Sequence, residues 1–148
     1  MARFDTHIQI IPEADYTGLK FYSFAYARSQ KVSGIQKLVN LFAKCLLTPL
    51  GSDPLDLSYG TELTRLIGSN ITPRDASEVL LLAVEAAAKT IQAAHTGRDV
   101  PSSERLQSAV VTQLIIIEDS QGFAAQIYIK NVANQQLTFL LPTLEVRT

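Results

Sequence analysis

Hydrophobic positions along the chain change period twice. In "GLKFYSFAYARS", Leu19, Phe21, Ser23 and Ala25 alternate with Lys20, Tyr22, Phe24 and Tyr26. A period of two with aromatic enrichment predicts an extended strand within an N-terminal segment covering residues 1–30. Both of its faces are apolar, which fits either a strand buried on both sides or one that meets another chain. From Ser33 the period becomes helical. Ile35, Leu38, Val39, Phe42, Cys45 and Leu46 fall on one stripe. Ser33 with Gln36 three residues on reads as a capping box, and Thr48-Pro49 ends the helix. A turn-rich run follows at 48–60, and "TELTRLIG" reads as a short helical turn ending at Gly68. The longest helix starts at Thr72 as N-cap, with Pro73 in the first turn, Asp75 on the dipole and Gly97 past the end. Its predicted apolar band is Val79, Leu80, Leu82, Ala83, Ala86, Ala87 and Ile91.

"DVPSSERLQ" reads as a connector with a helical turn. After it, period two returns. "SAVVTQLIIIED" and "FAAQIYIKN" read as strands joined by the turn "EDSQG". In the second strand Phe123, Ala125, Ile127 and Ile129 share one face, and Gln126, Tyr128 and Lys130 the other. "VANQ" turns the chain into "QLTFLLPTLEV", which Pro142 marks as an edge strand or a tail beyond one. The expected fold class is α+β: an N-terminal extended segment, two main helices and a C-terminal antiparallel β-meander. All 148 residues are expected in a single domain, with an extended part at 1–30, a helical part at 31–106 and a β part at 107–148.

Composition narrows the function classes. A formal net charge of −1 with scattered Lys and Arg argues against a nucleic-acid surface. One cysteine, Cys45, cannot form an internal disulfide, in keeping with a reducing compartment, and its place on the apolar stripe reads as a buried structural thiol. No apolar run approaches a bilayer span of about 20 residues, and the N-terminus lacks a signal-peptide core. No membrane role is expected, and the chain is expected to be made and kept in a cytoplasm. His7 and His95 are too far apart in sequence, with a single Cys, to suggest a zinc site, so no metal and no cofactor are expected. Asp53, Asp56 and Glu62 are the one acidic group to weigh for glycoside hydrolysis, which requires two carboxylates, one with a raised pKa in a cleft. Among turn residues these three read as solvated or backbone-bonding groups, and no enzyme activity is expected.

The run "KVSGIQKLVNLFAKCLLTPLGSDPLDLSYGTEL" resembles the signature of the small baseplate wedge proteins, or sheath initiators, of contractile-tailed phages and related contractile injection machines. The matching positions are Val32, Ser33, Gly34, Leu46, Leu47, Thr48, Pro49, Gly51, Tyr59, Gly60 and Leu63. The resemblance extends over roughly residues 31–142. One departure is that the family's Glu-Pro-Arg step before the β-strands is here Glu104-Arg105, with Pro101 upstream. The resemblance implies a structural virion protein of the tail baseplate that nucleates sheath assembly. Its β-module would be like that of the sheath subunit and would accept sheath arms by β-strand addition. The implied strand-addition residues are Val110, Thr112, Leu114, Ile116, Phe123, Gln126, Tyr128 and Lys130. The implied structural loop and wedge contact comprise Thr48, Pro49, Gly51, Tyr59, Gly60, Leu63, Glu104 and Arg105. Partners implied are the tail sheath protein and other wedge and hub proteins, in a sixfold assembly. A small cell-wall glycan hydrolase and a non-virion adaptor of a contractile secretion machine are the alternative readings; a zymogram separates the hydrolase from the other two.

Overall fold

The computed structural model describes residues 33–66, 72–117 and 122–145. Helix α1 spans Gly34–Leu47, a 3-10 turn covers Leu63–Leu66, helix α2 spans Pro73–His95, and a second 3-10 turn covers Ser102–Glu104. Strands β1 (Leu106–Ile117), β2 (Gly122–Asn131) and β3 (Gln136–Glu145) follow. This is the α+β arrangement read from the sequence. The N-terminal strand expected within 1–30, the hairpin turn after β1 and the Gly68 helix end lie outside the described residues.

Helix α2 begins as its sequence dictates. The Thr72 hydroxyl accepts from the Asp75 backbone N–H at 3.3 Å and donates to the Asp75 carboxylate at 2.7 Å. At the other end Gly97 takes a positive φ of 74°, which glycine adopts without the Cβ penalty. The start of α1 differs from expectation. Ser33 makes no side-chain cap. Instead the Glu104 carboxylate, 70 residues on, accepts from the Gly34 N–H at 3.4 Å. A tertiary carboxylate thus replaces the local capping box. It also suits the positive end of the helix dipole.

The three strands form one antiparallel sheet in the order β1-β2-β3. Pairs such as Val111↔Ile127 and Ala109↔Ile129 set the β1–β2 register, and Ile127↔Phe139 and Ile129↔Leu137 set that of β2–β3. Two extra residues bulge β1, at Gln107 and Thr112; β3 bulges at 142–143, where Pro142 has no N–H to offer the ladder. Both helices pack on the face carrying Ala125, Ile127, Ile129, Phe139 and Leu141. Leu38, Val39, Phe42, Cys45 and Leu46 of α1 are wholly buried there, and the Phe42 and Phe139 rings meet edge-on at 6.0 Å. The α2 band is narrower than predicted and rotated. Ala76, Leu80, Ala83, Val84, Ala87 and Ile91 are buried, whereas Leu82 is 65% exposed and Ala86 is also exposed. The opposite sheet face, with Val110, Gln126 and Tyr128, has no described element packed on it.

Candidate partner-binding surface

The loop after α1 closes on itself through backbone bonds. Pro49 and Thr61 form a parallel bridge. Thr61 N–H donates to the Thr48 carbonyl at 2.9 Å and Leu50 N–H to the Thr61 carbonyl at 3.0 Å. Side chains reinforce both ends: the Thr61 hydroxyl donates to the Leu46 carbonyl and the Thr48 hydroxyl to the Lys44 carbonyl, each at 2.6 Å. Gly60 permits this closure, because a Cβ there would lie 2.5 Å from the Thr48 carbonyl oxygen. Leu63 is fully buried beneath the clasp. Burial pushes the Cys45 thiol pKa up, with the Gly60 backbone and the Tyr59 side chain partly offsetting it. A thiol held protonated and buried is a core group rather than a nucleophile.

The acidic residues of the loop shape its turns. Asp53 accepts from the Leu55 N–H at 2.9 Å. Asp56 accepts from both the N–H and the hydroxyl of Ser58, and these bonds hold its pKa below the ordinary value. Glu62 pairs with Arg65 at 2.9 Å on the surface. The tip carries apolar side chains outward, with Leu55 95% and Leu57 68% exposed. The loop is therefore stiff in backbone and apolar at its crest.

Glu104 and Arg105 separate in role. Glu104 is buried and pairs with Lys37 of α1 at 2.6 Å, so it ties the entry of β1 to the start of α1. Arg105 is exposed, and its guanidinium donates to the Val100 carbonyl at 3.0 Å. Val132 N–H donates to the Arg105 carbonyl, which joins the same corner to the β2–β3 turn.

The strand-addition residues divide by strand. Phe123, Gln126, Tyr128 and Lys130 lie on β2, the middle strand, where pairing with β1 and β3 occupies both backbone edges. As acceptors of an added strand these four are corrected: a central strand has no free ladder groups to offer. Val110, Thr112, Leu114 and Ile116 lie on β1, which pairs only with β2 among the described residues. They do not share one face as a simple alternation expects. The Thr112 bulge shifts the phase, so Val110 points to the open face while Leu114 packs against the core.

Beside this edge runs a groove of about 340 Å³ between β1 and one stripe of α2. Leu81, Val84, Ala88 and the Glu85–Lys89 ion pair form its helical wall, and Ser108, Ala109, Val110 and Val111 form its strand wall. Leu81 and Val110 are each about half exposed. At the Gln107 bulge the Gln92 side-chain amide donates to the Gln107 carbonyl at 3.2 Å and ties helix to strand. The α2 residues escaped the sequence reading. The available signal was Leu81, an apolar residue off the band predicted for that helix.

No helix among the described residues is long and apolar enough to cross a membrane. Among the same residues no group of three or more His, Cys, Asp or Glu is arranged to hold a metal ion. No protein-family model matches the chain, and no curated protein matches it.

Proposed function

We propose that this protein is a structural wedge component of the baseplate of a contractile tail, where it starts sheath assembly by accepting extended sheath arms along the outer edge of β1. The observation that carries the reading is the β1 edge, left unpaired among the described residues, beside a mostly apolar groove. An extended segment placed there gains main-chain hydrogen bonds from β1 and buries alternate side chains against α2. An unpaired strand edge of this length is normally an aggregation liability, and occupancy in an assembly removes it. The clasped loop with its exposed Leu55 and Leu57 supplies a second rigid contact toward neighbouring wedge subunits. The resemblance of residues 31–142 to sheath initiators supports this assignment, and it implies sixfold placement in the virion.

The carboxylates that a glycan hydrolase would use favour the structural reading. Asp53 and Asp56 are committed to turn bonds, and Asp56 has a lowered pKa, where a catalytic acid needs a raised one. Immuno-electron microscopy of purified particles tests the proposal. Label on the end plate of a contractile tail is expected; particles labelled elsewhere, or not at all, overturn it.

A further inference from the structure

The groove beside β1 continues past its apolar stretch. At the base of the strand it meets a second cavity of about 390 Å³, lined by His95, Arg98, Arg105, Leu106 and the turn at 96–97. Gln92 lines both cavities, so the two lie next to each other along the strand, with its amide bond to the Gln107 carbonyl between them. The lining changes from mostly apolar, with the self-paired Glu85 and Lys89, to cationic from one cavity to the next.

The charge there is unbalanced. Three cations, Arg105, Arg98 and Lys37, stand around the His95 imidazole against one carboxylate, Glu104. Lys37 and Glu104 are committed to each other. Neither Arg98 nor Arg105 has an acidic partner within salt-bridge distance among the described residues, and neighbouring Asp99 pairs with neither. The C-terminal end of α2 adds roughly half a negative charge, which is small beside two guanidinium groups. Its last carbonyls are already bonded: Thr96 N–H takes Gln92 and Ala93, and Arg98 N–H takes His95.

Resting on the strand-addition reading, we propose that this cationic cavity at the base of β1 binds the side-chain carboxylate of an acidic residue carried by the segment that adds to β1. A guanidinium fork matches a carboxylate in two parallel hydrogen bonds. Main-chain pairing alone leaves register weakly specified, since a slip by two residues restores the same ladder and the same facing. One carboxylate held in one pocket removes that degeneracy. From Val111 to Leu106, both on the helix-packed face, is four paired positions (Ile127 to Asn131 on β2, the Gln107 bulge adding one residue to β1), or roughly 13 Å of strand at about 3.3 Å each. The acidic residue therefore lies about four positions from the apolar residue beside Val111, with an alternating stretch filling the rest of the groove.

The test uses the full chain and a short acetylated, amidated peptide of alternating Thr and Val. The peptide bears one Glu about four positions beyond its central Val. A second version carries the Glu toward the opposite terminus, which covers either strand direction. Gln and Lys counterparts serve as controls. Binding is read by fluorescence anisotropy, and its place by amide shifts at Ser108–Val111. One Glu peptide is expected to bind about tenfold tighter than its Gln form, and the advantage should shrink as salt rises to about 0.5 M. Arg98 is exposed and makes no side-chain bond to a described residue, so Arg98→Ala should abolish the Glu preference without unfolding the protein. Arg74→Ala, at the far end of α2, should leave it intact. If Glu and Gln peptides bind β1 equally, the carboxylate pocket is overturned while strand addition stands. If no peptide reaches β1, both fail. If an oligonucleotide competes through Arg98 without need of the Val-Thr stretch, the pocket serves polyanions and the proposal is overturned.

Discussion

Gly60 is the residue on which the loop geometry turns. Its φ is +108°, and a Cβ would lie 2.5 Å from the Thr48 carbonyl oxygen and 2.9 Å from that of Pro49. Both neighbours are backbone atoms within the bridge, so neither can rotate away. Gly60→Ala is expected to cost about 2–4 kcal/mol, read from the urea midpoint. Gly51 provides the contrast: its φ is +79°, yet no atom comes nearer than 3.9 Å. Gly51→Ala should cost only about 1 kcal/mol. His95 makes a separate prediction about pH. Desolvation, followed by Arg105, lowers its pKa below the ordinary histidine value. The folded state therefore favours the neutral ring, and the unfolded chain takes up the proton first as pH falls. Stability from this site is full above about pH 6.5 and is lost as pH drops through the lowered folded value. Replacing His95 by Gln should flatten the fall in stability between about pH 7 and pH 5, measured by denaturation at each pH. An unchanged slope would show that another group drives it.

At the scale of elements, the ion pair between Glu104 and Lys37 joins the start of α1 to the entry of β1. Both side chains are nearly buried, at 9% and 13% exposure. Removing one partner leaves a charge in a poorly solvated place, so Glu104→Ala should cost about 3–5 kcal/mol. Replacing both, as Lys37→Met with Glu104→Leu, should recover much of that loss in chemical denaturation, because the desolvation penalty disappears with the charges. A double variant as unstable as the single one would mean that the Glu104 bond to Gly34 N–H dominates. This junction also marks the limit of what sequence reading could reach. The α2 start was legible because Thr72, Pro73 and Asp75 act on one another within one turn. The α1 cap was not, because its carboxylate arrives from another part of the chain while a plausible local pair, Ser33 and Gln36, lies beside it. Strand existence was legible from period two, but strand position was not: Tyr128 alternates identically whether its strand is central or at an edge. Tyr128→Pro should therefore destabilise the whole sheet, seen as loss of cooperative unfolding, rather than selectively block an incoming strand.

For the molecule as a whole, two leucines next to each other on α2 separate folding from assembly. Leu81 is 54% exposed and lines the groove beside β1; Leu82 is 65% exposed and lies off it. Neither side chain belongs to the core, so Leu81→Arg and Leu82→Arg should each change stability by no more than about 0.5 kcal/mol. Their effects on assembly should differ. An arginine at position 81 places an unpaired charge where an arriving strand has to bury apolar side chains, and it removes the apolar wall that rewards that burial. Sheaths on Leu81→Arg particles should be absent or short in negative-stain micrographs, while Leu82→Arg particles carry sheaths of normal length. The pair controls for added positive charge and for position along the helix, leaving only the groove as the difference. Full-length sheaths with both variants would exclude the β1 edge as the acceptor and direct attention to the outer edge of β3, the other strand paired on one side among the described residues.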